Sequence, residues 1–384
     1  MKKILFLSVS AGAGHVRAAQ ALEAYASLNG DIEAMHLDVM DFVPKTFKRI
    51  YVDTYIKMVQ KFPALWGLLY KKMGNAQADA TWQRLRRVVE RLNTRALKKE
   101  IDAFAPDAVV CTHFLPAEIL MHEMNKGRFN APVWVQVTDF DVHRMWLIPK
   151  MQGYFTANDE VNYRLQRMGI EEERIHVTGI PVMPGFANPP AREACLKKYG
   201  LLEDPQKASQ PVLLLMGGGA GLGSLDEVAQ QLLSQDERFR LIALAGKNQK
   251  LLKALQKVSE HYPGRLFPQG FTHEVQELMS CADLVITKPG GLTSSECLAM
   301  GIPMLVHEPI PGQEEHNADY LLEQGVALKA VDALGLVYRV QHLMDTPKTL
   351  ETMHRCSKKI GQPLAGRKVL SIVLKALNTE ETHK

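Results

Sequence analysis

Residues 2–15, "KKILFLSVSAGAGH", decide the fold. A short apolar run, "ILFL", meets a turn with Gly12 and Gly14, and beyond it Val16, Ala19, Leu22 and Ala26 recur at helical spacing. Three readings compete for the stretch. Lys2 and Lys3 with "ILFLSVSA" and the small residues Ala11-Gly12-Ala13 resemble a secretory signal and its cleavage site. The glycines could instead cradle a dinucleotide phosphate, or the loop could present His15 for chemistry. Ser8 and Ser10 interrupt the apolar run and the helical spacing carries on past it, so strand, glycine loop and helix is the better description.

The same pattern returns at residues 210–224, "QPVLLLMGGGAGLGS". Around the two copies, strand-like runs alternate with helical stretches: "DAVVCTH" (107–113), "PVWVQVTD" (132–139), "RIHVTGIPV" (174–182), "RLIALAG" (240–246), "ADLVITKPG" (282–290) and "IPMLVHEP" (302–309). Short apolar strands between helices indicate parallel sheet covered on both faces. The chain therefore reads as α/β, with two doubly wound, Rossmann-like domains. The expected domains are 1–190 and 205–350, divided in the proline-rich stretch 184–210, with helices over 351–384. Val369, Ile372, Val373 and Leu377 form the apolar stripe of the last helix.

Composition narrows the class. At 384 residues, with 46% hydrophobic and 23% charged residues, the chain has the balance of a soluble two-domain protein. No apolar run approaches the roughly 18 residues needed to cross a bilayer. Five cysteines, odd in number, widely spaced and without a CxxC pair, indicate a reducing cytoplasm rather than a disulfide framework or zinc knuckle.

The net charge of +4 conceals an asymmetry. Residues 45–99 hold 14 Lys and Arg against three acids, a balance of +11, so the remainder carries −7. Phe47, Tyr51, Tyr55, Phe62, Trp66, Tyr70 and Trp82 are interleaved with these cations. That mixture suits an element lying in the headgroup layer of an anionic membrane, with Lys57, Lys61, Trp66, Lys71 and Lys72 at its centre. A pair of helices with a solvated basic face explains the composition equally well. No nucleic-acid recognition module accompanies it.

A nicotinamide enzyme fits poorly. After Gly12 and Gly14 the dinucleotide fingerprint needs a third glycine, and Arg17 stands there. The second cradle, Gly217-Gly218-Gly219-Ala220-Gly221, is better, but the strand after it ends in Gly246-Lys247, without an acid for a ribose.

Residues 287–321, "TKPGGLTSSECLAMGIPMLVHEPIPGQEEHNADYL", carry the densest chemistry. A strand runs into Lys288-Pro289-Gly290-Gly291, and a helix starts near Leu292 and ends at Gly301. Glycines let phosphates approach the backbone, where the free N–H groups of residues 291–293 and the helix dipole meet their charge. Thr293 and Ser294 add hydroxyls, and Glu296, one turn in, can accept from both hydroxyls of a ribose. A second helix start follows the next strand, Gly312-Gln313-Glu314-Glu315-His316-Asn317, with side chains suited to sugar hydroxyls. Diphosphate, ribose, hexose: the expected ligand is a nucleotide sugar.

The motifs "SVSAGAGHVRAAQAL", "VTDFDVHRMWLIP" and "KPGGLTSSECLAMGIPMLVHEPIPGQEEHNADYL" resemble, in order and spacing, those of the monogalactosyl/glucosyl-diacylglycerol synthase family. The resemblance runs from residue 4 to about 330. That family is similar to the lipid-linked N-acetylglucosaminyltransferase of peptidoglycan synthesis. The resemblance implies a GT-B fold, two domains facing a cleft, with a final helix crossing back to the N-terminal domain. The N-terminal domain would take the acceptor and the membrane, the C-terminal domain the nucleotide sugar. It implies inverting, metal-independent transfer of glucose or galactose from UDP-glucose or UDP-galactose to the 3-hydroxyl of diacylglycerol, by a peripheral enzyme on the cytoplasmic face of the membrane. No cofactor is expected.

On this reading His15 is the candidate base that takes the acceptor's proton, its basic form kept available by the helix N-terminus. A helix cap or a contact to the diphosphate is the other reading of His15. Gly14, Gly218, Gly219, Gly290, Gly291, Leu292 and Thr293 would line the donor's diphosphate, with Lys247 and Lys288 as additional cations. Phe271 would lie by the uracil, with His273 sharing its ambiguity between core and site, and Gln313, Glu314 and Asn317 would meet the hexose. Asp139-Phe140-Asp141 spells the DxD of metal-dependent glycosyltransferases but ends a strand of the other half. Asp139 is expected to orient a group of the cleft or to serve the acceptor, although Asp139, His143 and Trp146 are equally readable as structural. Two further functions stay open: N-acetylglucosamine transfer to another lipid-linked acceptor, and a soluble UDP-sugar epimerase or sensor of the same fold.

Overall fold

The computed structural model describes residues 1–10, 12–44, 95–217 and 225–382. The described residues form two compact units. The first comprises Met1–Pro184, Ile310–His316 and Leu364–Lys384; the second comprises Gly185–Pro309 and Asn317–Pro363. The break thus comes at the start of the proline-rich stretch, which belongs to the second unit. The C-terminal region is divided: residues 351–363 stay with the second unit, and only the last helix joins the first.

In the first unit six strands, β1 (Lys2–Ser8), β2 (Ile32–Asp38), β3 (Ala108–Cys111), β4 (Val133–Gln136), β5 (Gly153–Thr156) and β6 (Ile175–Val177), pair in the order β2-β1-β3-β4-β5-β6. All the pairings are parallel. The opening run is therefore an interior strand, paired on both sides. Its alternation builds two cores. Leu5 and Leu7 point to one face with Val109, Val133 and Val135. Ile4 and Phe6 point to the other, with Val110, Trp134 and Phe155, where the helix Ala13–Ser27 covers them with Ala19 and Leu22.

The last helix, Ala365–Thr382, packs on that same face through Val369, Leu370, Val373 and Leu377, with Ile372 half-buried beside them. Its approach to the first helix is close: a Cβ on Gly366 would lie 2.3 Å from Tyr25 Cδ2.

The second unit repeats the plan with β7 (Val212–Met216), β8 (Arg240–Leu244), β9 (Leu266–Gln269), β10 (Leu284–Thr287), β11 (Met304–His307) and β12 (Ala327–Ala330), ordered β12-β11-β10-β7-β8-β9. These too are all parallel. Leu213, Leu215, Leu241, Ile286 and Leu305 form the core on one face with Val228, Leu232 and Leu255 of the flanking helices.

In each sheet the strand order reverses once. β1 is followed by β2 on one side while β3 runs on to β4 on the other; β7 is followed by β8 on one side while β10 runs on to β11 on the other. Such a switch point leaves a crevice at the carboxyl ends of its two strands. Val9 and Ser10 leave β1 and Thr112–His113 leave β3; Gly217 leaves β7 and Lys288–Gly290 leave β10. The stretches singled out from sequence therefore sit at both switch points. No helix among the described residues is long and apolar enough to cross a membrane.

Gly366→Ala tests the packing of the last helix. In an exposed helix interior alanine would gain about 1 kcal/mol over glycine. The backbone-borne clash with Tyr25 outweighs this, and a loss of about 1–3 kcal/mol is expected by urea unfolding. An unchanged or raised midpoint would show that the two helices do not meet as described.

Candidate active site and donor site

At the first switch point the chain turns through Gly12, whose φ of 103° and ψ of 164° are open to glycine and strained for other residues. The helix then begins at Ala13 and carries Gly14 and His15 in its first turn. Thr112, at the end of β3, holds the loop: its Oγ1 donates to the His15 carbonyl at 2.8 Å and to the Leu7 carbonyl at 3.4 Å. The His15 ring Nδ1 lies 2.9 Å from the Thr112 carbonyl oxygen and 2.8 Å from Thr138 Oγ1. A carbonyl only accepts, so Nδ1 carries the proton and Nε2 holds the lone pair.

Burial pushes the His15 pKa down to about 4, with the hydrogen bond to Thr112 acting the other way. Burial thus supplies the depression that the sequence reading assigned to the helix terminus. Around His15 stand groups the sequence reading passed over or left ambiguous. The His113 ring meets it edge-on at 4.6 Å, and Trp146 lies 6.3 Å away. His113 Nδ1 accepts from Leu115 N–H at 3.0 Å, capping the helix Phe114–Asn125 and leaving the proton on Nε2. Its pKa is well below the ordinary histidine value, through burial first and then His15 and His143. His143, 6.2 Å from Trp146, is held at about 4, again by burial, with Asp141 opposing. Trp146 is fully buried, and its Nε1 has no hydrogen-bond partner among the described residues.

The two DxD carboxylates have protein partners. Asp139 is buried and accepts from Gln313 Nε2 at 2.6 Å. Asp141 pairs with His316 Nδ1 and lies 3.5 Å from Arg164 Nε. Burial would raise the Asp141 carboxyl, but the His316 hydrogen bond and further contacts bring it below the usual range. Gln313 and His316, expected at a sugar, thus have side-chain partners in the first unit. Glu314 Oε2 accepts from Ile310 N–H at 2.8 Å, and Glu315 Oε2 from Gly312 N–H at 2.9 Å, so these carboxylates fold the loop ahead of the helix Gln313–Glu323.

At the second switch point the helix runs Gly291–Ala299. Gly290, its N-cap, has φ −63° and ψ 143°, a conformation open to any residue, so what glycine contributes there is a missing side chain. The first helical bond is Ser294 N–H to the Gly290 carbonyl, which leaves the N–H groups of Gly291, Leu292 and Thr293 outside the ladder. Glu296 is buried one turn in, and Ser294 Oγ is buried with no partner among the described residues. Asn317, fully buried, donates from Nδ2 to the Pro289 carbonyl at 3.1 Å and so braces the Lys288–Gly290 turn. Lys288 itself is half-buried.

Phe271 is 49% exposed, which removes its reading as a core residue. Lys247 Nζ stands 4.7 Å over its ring and His273 meets it edge-on at 4.8 Å. These three residues come together beyond the carboxyl ends of β8 and β9. Gly218 and Gly219 lie outside the described residues, as do Lys57, Lys61, Trp66, Lys71 and Lys72. Among the described residues no cluster of three or more His, Cys, Asp or Glu could hold a metal ion.

Two six-stranded doubly wound units, with a histidine at one switch point and a helix start at the other, give the chain a GT-B fold. Solved structures agree on the fold. MurG of Acinetobacter baumannii matches with a TM-score of 0.62 and 17% identity, covering 98% of this chain and 100% of that one. A Staphylococcus aureus MnaA–UDP complex matches with a TM-score of 0.64 and 13% identity, covering 98% and 97%.

Sequence comparison gives the family. Residues 15–182 match the monogalactosyldiacylglycerol (MGDG) synthase family, and residues 212–367 match the glycosyltransferase family 28 C-terminal domain. The chain is a glycosyltransferase whose N-terminal half resembles MGDG synthases and whose C-terminal half matches the family 28 domain. It is similar to a processive diacylglycerol beta-glucosyltransferase of Bacillus pumilus, 26% identical over 378 residues, which are 97% of this chain and 94% of the relative. The enzyme of that name from Bacillus thuringiensis is 28% identical over 385 residues, 99% and 95% of the two chains.

The histidine cluster has a consequence for stability. Folded His15, His113 and His143 titrate below the ordinary value of about 6.5, so between that value and about 4 the unfolded chain binds more protons. The stability of the neutral cluster is complete above about pH 6.5 and is lost as pH falls from there toward 4. Urea midpoints taken from about pH 7.5 down to about 5 should fall, and should fall less in His143→Gln. Midpoints independent of pH over that range would contradict the neutral cluster.

Proposed function

We propose that this glycosyltransferase moves a hexose from a UDP-sugar to the 3-hydroxyl of diacylglycerol with inversion, giving a β-glycosyl-diacylglycerol. One observation carries the chemistry: His15 Nδ1 faces a carbonyl, which leaves Nε2 as an unprotonated base at the first switch point. The acceptor hydroxyl attacks the anomeric carbon, its proton passes to Nε2, and the bond to the UDP oxygen breaks with its electrons. Charge growing on the leaving diphosphate is met by the N–H groups of Gly291, Leu292 and Thr293, with Lys288 and Lys247 as cations. No step needs a cofactor or a metal ion.

The substrates are supported by the relatives. Curated relatives matching over nearly the whole chain are named processive diacylglycerol beta-glucosyltransferases, and a structural neighbour holds UDP. Those names favour glucose over galactose as the sugar. A stacked base fits the exposed Phe271 ring with Lys247 above it. Asn317 acts through the Pro289 turn, and Glu296 at the ribose remains the assignment of the sequence reading. An acceptor confined to a bilayer requires an enzyme that rests on it, and the basic aromatic segment 45–99 suits a peripheral, salt-sensitive attachment to anionic lipid on the cytoplasmic side.

Purified protein incubated with UDP-glucose or UDP-galactose and diacylglycerol liposomes should yield a glycolipid by chromatography, with UDP-glucose preferred. His15→Ala should lower turnover about 100-fold or more while UDP binding by calorimetry is retained. A fully active His15→Ala enzyme would overturn the base assignment; UDP-sugar epimerised without any lipid product would favour the soluble reading. Charge reversal at Lys57, Lys61, Lys71 and Lys72 should weaken flotation with anionic liposomes, and unchanged flotation would remove the segment from membrane binding.

A further inference from the structure

His15 Nδ1 has two neighbours at hydrogen-bond distance, the Thr112 carbonyl at 2.9 Å and Thr138 Oγ1 at 2.8 Å. We propose that Thr138 is a positioning residue for His15: its hydroxyl and the Thr112 carbonyl share the Nδ1 proton from two sides, and together they fix the tautomer and aim Nε2. The proposal rests on the reading of His15 as the base and adds how that base is held.

The geometry leaves one assignment of protons. Were Nδ1 bare and Thr138 its donor, the Thr112 carbonyl would face a lone pair at 2.9 Å, which is repulsive. With the proton on Nδ1 both oxygens accept, and the Thr138 O–H is free to donate elsewhere. The three elements involved are neighbours in the sheet. β1 leads to His15, β3 ends before Thr112, and β4 runs on to Thr138, which is buried. Thr112 also grips the His15 backbone carbonyl, so ring and main chain are clamped from one strand end.

A histidine base is more often backed by a carboxylate, and here that role goes to two neutral oxygens. Asp139, next to Thr138 in sequence, is engaged by Gln313, and Asp141 by His316 and Arg164. The titratable groups facing the ring are His113, from the end of β3, and His143, from the loop after β4. Both are neutral through burial. With no carboxylate on Nδ1 among the described residues, Nε2 keeps its lone pair at neutral pH. The ring stays a base into the acid range and still has two acceptors for the imidazolium that forms during transfer.

The test replaces the hydroxyl with a methyl of the same shape. Thr138→Val should lower kcat about 10-fold or more, leave KM for the UDP-sugar within about 2-fold, and move the acid limb of the kcat/KM profile. Thr138→Ser should restore kcat to within about 3-fold of the parent. In the unsubstituted protein, nitrogen-15 shifts of His15 should report the Nδ1–H tautomer, and in the valine variant a mixture. Wild-type kcat and pH profile in Thr138→Val, beside an inactive His15→Ala, would overturn the positioning role and leave the base assignment standing. An active His15→Ala would remove both. If the valine variant does not fold, the shifts of the unsubstituted protein decide, and an Nε2–H tautomer there overturns the proposal.

Discussion

Two neighbouring parallel strands whose onward chains leave in opposite directions cannot close the space above their carboxyl ends. Each sheet of this chain holds one such pair, β1 beside β3 and β7 beside β10, and the chemistry follows from what the sequence places there. At the first pair Gly12 lets the backbone turn through a conformation closed to other residues, and His15 arrives against the end of β3. At the second pair Gly290 omits a side chain where a helix begins, and backbone N–H groups are left facing outward from the ladder. One crevice receives a buried histidine and the other the N–H groups of a helix start.

Electrostatics separates the two further. The first crevice keeps its three histidines neutral by burying them among Phe114 and Trp146, so the low-dielectric setting that would penalise a cation preserves a base. The second offers partial positive charge from a helix start, with Lys288 half-buried on the turn before it. Acidic groups near the histidines are taken up by partners: Asp139 by Gln313, Asp141 by His316. A free carboxylate on the imidazole would have raised its pKa and cost the base form.

Much of the fold was legible because buried parallel strands are short apolar runs and their turns contain glycine. β1, β3, β4, β7, β8, β10 and β11 all stood out that way. β5, "GYFT", and β12, "ALKA", did not: a leading glycine in one and two alanines with a lysine in the other carry little strand signal, and only pairing with a neighbour makes them strands. The stripe Val369, Val373 and Leu377 revealed the last helix, but a stripe names no partner. Its place beside Ala13–Ser27 follows from Gly366, whose lack of a side chain admits the Tyr25 ring.

The sequence by itself determined the class of the molecule: two glycine-turned α/β halves, a nucleotide-sugar motif at residues 287–321, and a histidine on the first helix. Those features are local, written in the order and spacing of a few adjacent residues. Tertiary structure decided which residues keep His15 company. Thr112, His113 and Thr138 lie about a hundred residues or more away along the chain and reach it only because β3 pairs with β1 on one side and β4 on the other. It also decided that Gln313 meets Asp139 and that Glu314 closes its own loop, since a side chain's hydrogen-bond partner is chosen by where the backbone brings it and not by its residue type.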